Sequence, residues 1–526
     1  MNILTLDMGT SSTRLALHYN GLFDEIKGDF GARFSLFEGK EALYSKLSGL
    51  IKELLDRNHL SEIDVEYIVA SGMATSEMGL CEIPHAPLPA DIYSLSKKLT
   101  RKELPIITTI PFLFVSGLKD MSGDELKDIM RGEEAETFGL ISALDIKSDA
   151  LFILAGTHNK IICINNNAEI TAFKTTLSGE LLDSVINNTI LKNNVSHNFK
   201  LSENYVIKGA EHARVYGLTA ALFEIRVMSM NGLDKDSLSS FIYGAILSQD
   251  LPAIKELSKN RTVFISGRET FKAVYSILLN TERVTKVDEA VSKNATHNGL
   301  KKIFLLYKSH SMRDEILRAI DKERLIAIVR APKAESFEKA VRAMYDGGIR
   351  LIEVTFDRSG KIPKEETARL IALLCEKLGK DMYIGAGTVT STDDVLLAYA
   401  AGASFIISPN CDENIISLTR KLGMVSIPAA LTPTEIISAL DSGADYVKLF
   451  PANAFNKEYI KAVTAPISDA KILAVGGVTA ENAKDFIDEG FAGVGVGSNL
   501  YNKKLIDEGR FGELTALAKK YVSALR

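Results

Sequence analysis

From about residue 325 to the end of the chain, short apolar runs recur at even spacing: LIAIVRA, IRLIEVTF, MYIGAGTV, ASFIISP, MVSIPAA, DYVKLFPA, KILAVGGV and FAGVGVGS. They run apolar rather than alternating, as strands covered on both faces do. The stretches between them include SFEKAVRAMYDGG, TDDVLLAYAAGA, ENIISLTRKLGM, TPTEIISALDSGA and TAENAKDFIDEGF. These carry apolar residues at helical spacing, open on polar residues and close near a glycine. Eight alternations in roughly 200 residues predict a (β/α)8 TIM barrel, whose active site gathers where the strand C-termini meet the following loops. Arg330, Glu353, Thr388, Pro409, Pro428, Lys448, Gly476 with Gly477, and Ser498 fall at those ends.

The first half of the chain follows another plan. ILTLDMGTSSTRLALHYNG reads as a strand, a tight turn and a second strand. The spacing returns in ALFILAGTHNKIICINNNAE, where Gly9-Thr10 matches Gly156-Thr157. Such an echo predicts a duplicated α/β unit with a cleft between the copies. A boundary is expected in LYKSHSMRDE, residues 306–315, where strand and helix signals lapse into polar residues; this gives domains of 1–308 and 309–526.

Composition narrows the partners. The chain's 526 residues are too many for one ordinary core. With 62 basic against 67 acidic residues and a formal net charge of -5, it offers neither a basic stripe for nucleic acid nor a polybasic membrane anchor. Cys81, Cys163, Cys375 and Cys411 lack the paired spacing of a zinc site or disulfide framework, which fits a reducing cytoplasm. MNILTLDMGT lacks a basic segment ahead of an apolar one and is not expected to be a signal peptide; no run approaches bilayer-spanning length. Every histidine precedes residue 311, which removes the commonest general base and metal ligand from the barrel's chemistry.

That absence makes Lys448, alone in the apolar run ADYVKLFPA, informative. Burial disfavours an ammonium, and a neutral amine can attack a carbonyl to form a Schiff base. Glu353, in the apolar run RLIEVTF, is the expected proton shuttle. The alternative is a strand-end lysine snorkelling to solvent with Glu353 as its ion-pair partner. Lys457, Lys461 and Lys471 lie in polar sequence and are expected on the surface. AVGGVT and VGVGSN place Gly476, Gly477, Gly497 and Ser498 after the seventh and eighth strands, where barrels hold phosphate. Tight packing without a ligand would use the same glycines.

In the first half, LDMGTSST sets Asp7 at a strand end ahead of Gly9, Thr10, Ser11 and Ser12. Asp7 can order a magnesium ion and the turn can donate to phosphoryl oxygens, although a polar hairpin would look the same. AGTHNK repeats the turn at Gly156 and Thr157 without the aspartate, so metal binding is expected of the first copy alone; His158 is expected as a structural donor. In MRGEEAETFG, Arg131 precedes Glu133 and Glu134, a set able to bind a polyhydroxy acid and deprotonate a hydroxyl, or simply a charged helix start. Glu180 in LSGELL and Gly267 in VFISGRETF complete the candidates, the latter as a turn passing near a nucleotide base.

Residues of about 315 to 526 resemble the 2-keto-3-deoxy-6-phosphogluconate (or -galactonate) aldolase family, through IEVTF, GAGTV, ISPN, TPTE, VKLFPA, AVGGV and GVGS in that order. The resemblance implies a Schiff base on Lys448, proton transfer by Glu353, and an acid substrate held by Arg330, Thr388 and Pro409. It also implies phosphate on Gly476, Gly477, Gly497 and Ser498, no cofactor, and a homo-oligomer, trimeric in this family. Two positions depart from the pattern. Asp357, followed by Arg358, stands where the family often has arginine, and Pro428-Ala429 replaces Pro-Gly.

Residues of about 1 to 305 resemble the 2-dehydro-3-deoxygalactonokinase family, sugar kinases sharing the actin and hexokinase nucleotide fold. LDMGTSSTR, ASGMATSEMG, MRGEEAETFG, AGTHNK, TLSGEL, FEIRV and SGRETF carry the likeness. It implies ATP with Mg2+, phosphorylation of a terminal hydroxyl, and Glu134 or Glu133 as base. The two resemblances share an intermediate. Together they imply a bifunctional enzyme that phosphorylates 2-dehydro-3-deoxy-D-galactonate and cleaves the product to pyruvate and D-glyceraldehyde 3-phosphate. The gluconate epimer, or an aldolase fused to a non-catalytic sugar-acid-binding domain, are the alternatives.

Overall fold

The first apolar run, Asn2–Met8, becomes the middle of a mixed sheet because it is paired on both edges: antiparallel to Thr13–Tyr19 and parallel to Tyr67–Gly72. The computed structural model describes residues 2–525 except 122–124, 282, 331–333, 455–458, 460, 461, 464, 468 and 469, and omits the side chains of 334 and 335. The chain divides into two units, Met1–Tyr307 and Lys308–Arg526.

The first unit is built twice over. Leu22–Gly28 extends the first sheet beyond Thr13–Tyr19, and Phe112–Phe114 and Thr100–Lys102 extend it beyond Tyr67–Gly72. The second sheet repeats the order: Ile170–Thr176, Asn159–Ile164, Ala150–Ala155, Thr262–Gly267 and Val284–Lys286. The repeat reaches single glycines. Gly9 and Gly156 open the two turns; a Cβ on Gly31 or Gly179 would collide with the carbonyl oxygen of Gly9 or Gly156 respectively. Gly72 (φ +69°) and Gly267 (φ +106°) face Met8 and Ala155 across the parallel pairs, in backbone conformations that side chains disfavour. Between the sheets, helix Glu133–Ala143 crosses helix Glu289–Glu323 at glycines: a Cβ on Gly139 would strike the Ala295 carbonyl, and one on Gly299 the Ala135 carbonyl.

In the second unit all eight apolar runs are parallel strands: Leu325–Arg330, Leu351–Thr355, Tyr383–Gly387, Phe405–Ile407, a fifth in two pieces, Val447–Leu449, Ile472–Val475 and Gly493–Val496. The pieces of the fifth, Val425–Ile427 and Ala429–Ala430, stand at opposite ends of the sheet order, so the barrel closes around Pro428. Proline has no N–H for a ladder, yet its carbonyl accepts from the Lys448 amide at 2.8 Å. Ile316 and Ile320 pack with Ile326, Leu351, Phe405 and Tyr446 under the strand N-termini. The predicted helices form with their caps: Ser391 accepts from the Asp394 amide, and Thr432 with Glu435 makes a reciprocal box ahead of Pro433–Asp441.

The segment expected to hold the boundary, residues 306–315, is helical, inside Glu289–Glu323, and the division between the units at Tyr307 and Lys308 falls within it. None of the ten is buried, so the segment has no apolar stripe to betray it.

Gly139→Val should force the crossed helices apart, lowering the stability of the first unit by about 1–3 kcal/mol. Calorimetry should record a lower unfolding temperature for that unit and an unchanged barrel transition.

Candidate active sites

At the C-terminal ends of the barrel strands lies a cavity of about 550 Å³. Arg330, Glu353, Thr388, Pro409 and Lys448 line it, with Gly476, Gly477, Gly497 and Ser498. Glu353 sits at the middle of its strand rather than the end, only 1% exposed, and its Oε2 has no hydrogen-bond partner among the described residues. Burial raises its pKa, while the charges of Lys448 and Arg330 pull it back. The carboxylate fits because Gly387 on the adjacent strand has no side chain: a Cβ there would overlap Glu353 Oε1. Lys448 is 9% exposed, with Nζ 5.0 Å from the centroid of the Phe450 ring. An amine and a carboxyl group thus share one enclosed mouth. That is the arrangement imine chemistry needs.

The glycines after the seventh and eighth strands line the cavity. Gly477 (φ +71°) abuts Asn453, whose Cβ a side chain at 477 would strike, so neighbour and backbone alike demand glycine. Lys503, Tyr501, Asn499 and Thr355 also line the cavity and escaped the sequence reading. Asn499 closes VGVGSN, and Tyr501 and Lys503 follow it closely enough that their loop was the available signal. Pro428 is not among the lining residues. Asp357 accepts from the Ser359 hydroxyl and the amides of Ser359, Lys361 and Ile362, holding its carboxyl down to about 2 and folding its own loop. Arg358 donates to Thr390. Lys471 is half exposed and pairs with Asp321 at 2.8 Å; Lys457 and Lys461 lie outside the described residues.

In the first unit, Asp7 Oδ2 accepts from Arg14 at 2.5 and 3.2 Å, and Oδ1 faces Gly72. The Gly9 amide donates to the Ser12 carbonyl at 2.8 Å, closing a turn on which Thr10 and Ser11 are exposed. In the second copy the Gly156 amide donates to Asn159 Oδ1 at 3.0 Å, Arg268 donates to Thr157 Oγ1 at 3.3 Å, and Gly267 lies opposite Ala155. His158 and Glu180 pair at 2.9 Å. Glu133 and Glu134 begin a helix; their carboxylates accept from the amides of Arg131 (2.9 Å) and Gly132 (2.7 Å). Glu134 is fully buried with Oε1 unpartnered among the described residues, and burial, reinforced by Glu133, raises its pKa to about 8. Arg131 is engaged by Thr75, Ile83 and His85.

Glu136 went unnoticed in the sequence. It accepts from Ser266 beside Gly267 at 3.2 Å and feels both Asp7 and Arg14, so it links the two turns. Burial and Glu133 raise its pKa to about 7. Its only signal was its place one helical turn beyond Arg131-Gly132-Glu133. Among the described residues, no group of three or more His, Cys, Asp or Glu side chains is poised to hold a metal.

Comparison with known proteins places the two halves in two families. Residues 7–303 match the 2-keto-3-deoxy-galactonokinase family and residues 316–517 match the KDPG and KHG aldolase family. The second half is 35% identical over 203 residues to the 2-dehydro-3-deoxy-6-phosphogalactonate aldolase of Escherichia coli (strain K12), covering 38% of this chain and 96% of that protein. The chain belongs to both families. The aldolase half is also 29% identical over 206 residues to the 2-dehydro-3-deoxy-phosphogluconate aldolase of Treponema pallidum (strain Nichols), covering 39% of this chain and 95% of the relative. A solved native KDPGal structure is 35% identical and covers 38% of this chain and 93% of that one, with a TM-score of 0.34. The protein is a fused kinase and aldolase, with the kinase half a duplicated α/β fold and the aldolase half a barrel.

Gly387→Ala should displace the Glu353 carboxylate. Steady-state assay should find aldol cleavage slowed on the order of a hundredfold or more, the scale of a lost proton-transfer group, with ATP-dependent phosphorylation unchanged.

Proposed function

We propose that the kinase half transfers the γ-phosphoryl group of ATP to the terminal hydroxyl of 2-dehydro-3-deoxy-D-galactonate, and that the aldolase half cleaves the resulting 6-phosphate to pyruvate and D-glyceraldehyde 3-phosphate. The observation that carries this reading is that Lys448 and the buried Glu353 carboxyl group, its Oε2 unpartnered among the described residues, line one cavity beside two glycine loops. The lysine condenses with the C2 ketone, releasing water. The protonated imine accepts the electron pair of the breaking C3–C4 bond as the C4 hydroxyl loses its proton. Reprotonation at C3 and hydrolysis then release pyruvate. Glu353, its proton affinity raised by burial, suits the proton transfers. Arg330 and Thr388 are assigned to the carboxylate, with Pro409 as pocket wall, and Gly476, Gly477, Gly497 and Ser498 to the phosphate.

In the kinase half, the turns at Gly9–Ser12 and Gly156–Thr157, with Gly267, are assigned to the nucleotide, and Glu134 to the base. The residues suit a magnesium nucleotide. Asp7 Oδ1 is not engaged by Arg14, and one carboxylate plus phosphate oxygens and water is a common magnesium shell. Bound there, the ion would offset charge building on the transferred phosphoryl group. Arg131 and Glu133 complete the proposed acid-binding side. Leu396, Tyr399 and Ile437, exposed and apolar on the barrel's helices, support self-association of the aldolase half, in trimers as the resemblance implies.

Given 2-dehydro-3-deoxy-D-galactonate, the enzyme should release pyruvate only when ATP is present. Lys448→Met should abolish pyruvate while ADP still accumulates. Pyruvate without ATP would overturn the kinase assignment, and faster turnover of the gluconate epimer would reassign the substrate.

Because Glu134 must be unprotonated to act and its pKa lies near 8, kinase kcat/KM should climb with pH and level off above about 8. Glu134→Gln should remove that rise and lower kcat by about 10²–10⁴.

A further inference from the structure

The two turns of the kinase half are closed differently. In the first copy the Gly9 amide is satisfied by the backbone carbonyl three residues on, at Ser12. In the second, the Gly156 amide is satisfied by a side chain three residues on, Asn159 Oδ1. Asn159 is completely buried, and the other end of its amide donates to Asp250 Oδ2 at 3.0 Å and to the Tyr275 hydroxyl at 2.7 Å. Tyr275 in turn donates to Asp250, and Ser178 donates to Asp250 Oδ1 at 2.5 Å. Asp250 is a 2%-exposed carboxylate held by three neutral donors.

The pattern fixes directions. Tyr275 spends its proton on Asp250 and accepts from Asn159; Asn159 spends both amide hydrogens inward, so only its oxygen can face the turn. Ser178 binds the turn from the other side, because the next two residues touch it. Gly179 lies against the Gly156 carbonyl, and the Glu180 amide donates to the Thr157 carbonyl at 2.7 Å. One buried carboxylate therefore sets both flanks of the turn.

We infer that Asp250, acting through Asn159 and Ser178, is a positioning residue that presets the Gly156–Thr157 turn for the nucleotide phosphates. The second copy lacks an aspartate at the site matching Asp7, and recruits this acid from a distant segment to shape the turn rather than to meet the ligand. The inference rests on the proposed assignment of that turn to the nucleotide.

The test compares Gly156→Val, Asp250→Ala, Asp250→Asn and Tyr275→Phe in the full chain. Initial rates are measured against ATP and against the sugar acid. Asp250→Ala should raise KM for ATP about tenfold or more with KM for the sugar acid little changed, the scale of a lost buried hydrogen-bond anchor. Asp250→Asn should largely rescue it, since an asparagine amide can replace one acceptor while the Ser178 hydroxyl turns to accept. Tyr275→Phe, which keeps both flanks bonded, should fall between and guards against misfolding in the alanine variant. A KM for ATP unmoved in Asp250→Ala and Tyr275→Phe, or KM values for both substrates rising together, would overturn the inference while Gly156→Val still abolished ATP use. If Gly156→Val left ATP use intact, the assignment of the turn and the inference would fall together.

Discussion

The proposed aldol chemistry rests on a carboxyl group withdrawn from bulk water, one oxygen of which has no partner among the described residues. An unsatisfied buried polar atom costs about 1–3 kcal/mol, and the fold tolerates it at Glu353 because the rest of the barrel is closed and well packed. The closure is specific. Gly387 leaves room for the side chain, Pro428 seals the seam of the sheet, and Ile316 with Ile320 fills the end away from the mouth. Burial favours the protonated acid; Lys448 and Arg330 favour the anion. A group balanced between the two can pass protons in both directions, as cleavage of a carbon-carbon bond through an imine requires.

The kinase half uses the same device with different parts. Glu134 is buried at the start of a helix with one oxygen unpartnered among the described residues, and Glu136, two residues on, joins the two glycine turns through Ser266, Arg14 and Asp7. Duplication explains why the scaffold is regular. Paired glycines at 9 and 156, 31 and 179, and 72 and 267 bring backbone close to backbone in both copies. It also explains where the copies differ, since only the first carries the aspartate.

The barrel was legible because strands covered on both faces must be apolar, and Lys448 stood out against that background. The duplicated turns were legible because glycine and hydroxyl spacing survives in both copies. Other features left no local trace. The broken fifth strand depends on where a barrel happens to close. Arg14 and Glu136 take their meaning from partners far along the chain, Thr296 and Ser266 among them. The helical state of residues 306–315 left no trace because that stretch of the helix buries none of its ten residues and so carries no apolar stripe. Tyr501 and Lys503 enter the cavity from a loop in which only Gly497 and Ser498 drew notice.

Fusing the activities joins a reaction that makes a phosphorylated keto acid to one that consumes it, and the account turns on the covalent role of one amine. The most direct test is to incubate the enzyme with pyruvate and sodium borohydride, digest it and map the modified peptide by mass spectrometry. The account predicts a reduced pyruvyl adduct on Lys448 and none in Lys448→Met. An adduct on another lysine such as Lys503, or no adduct while cleavage proceeds, would contradict it.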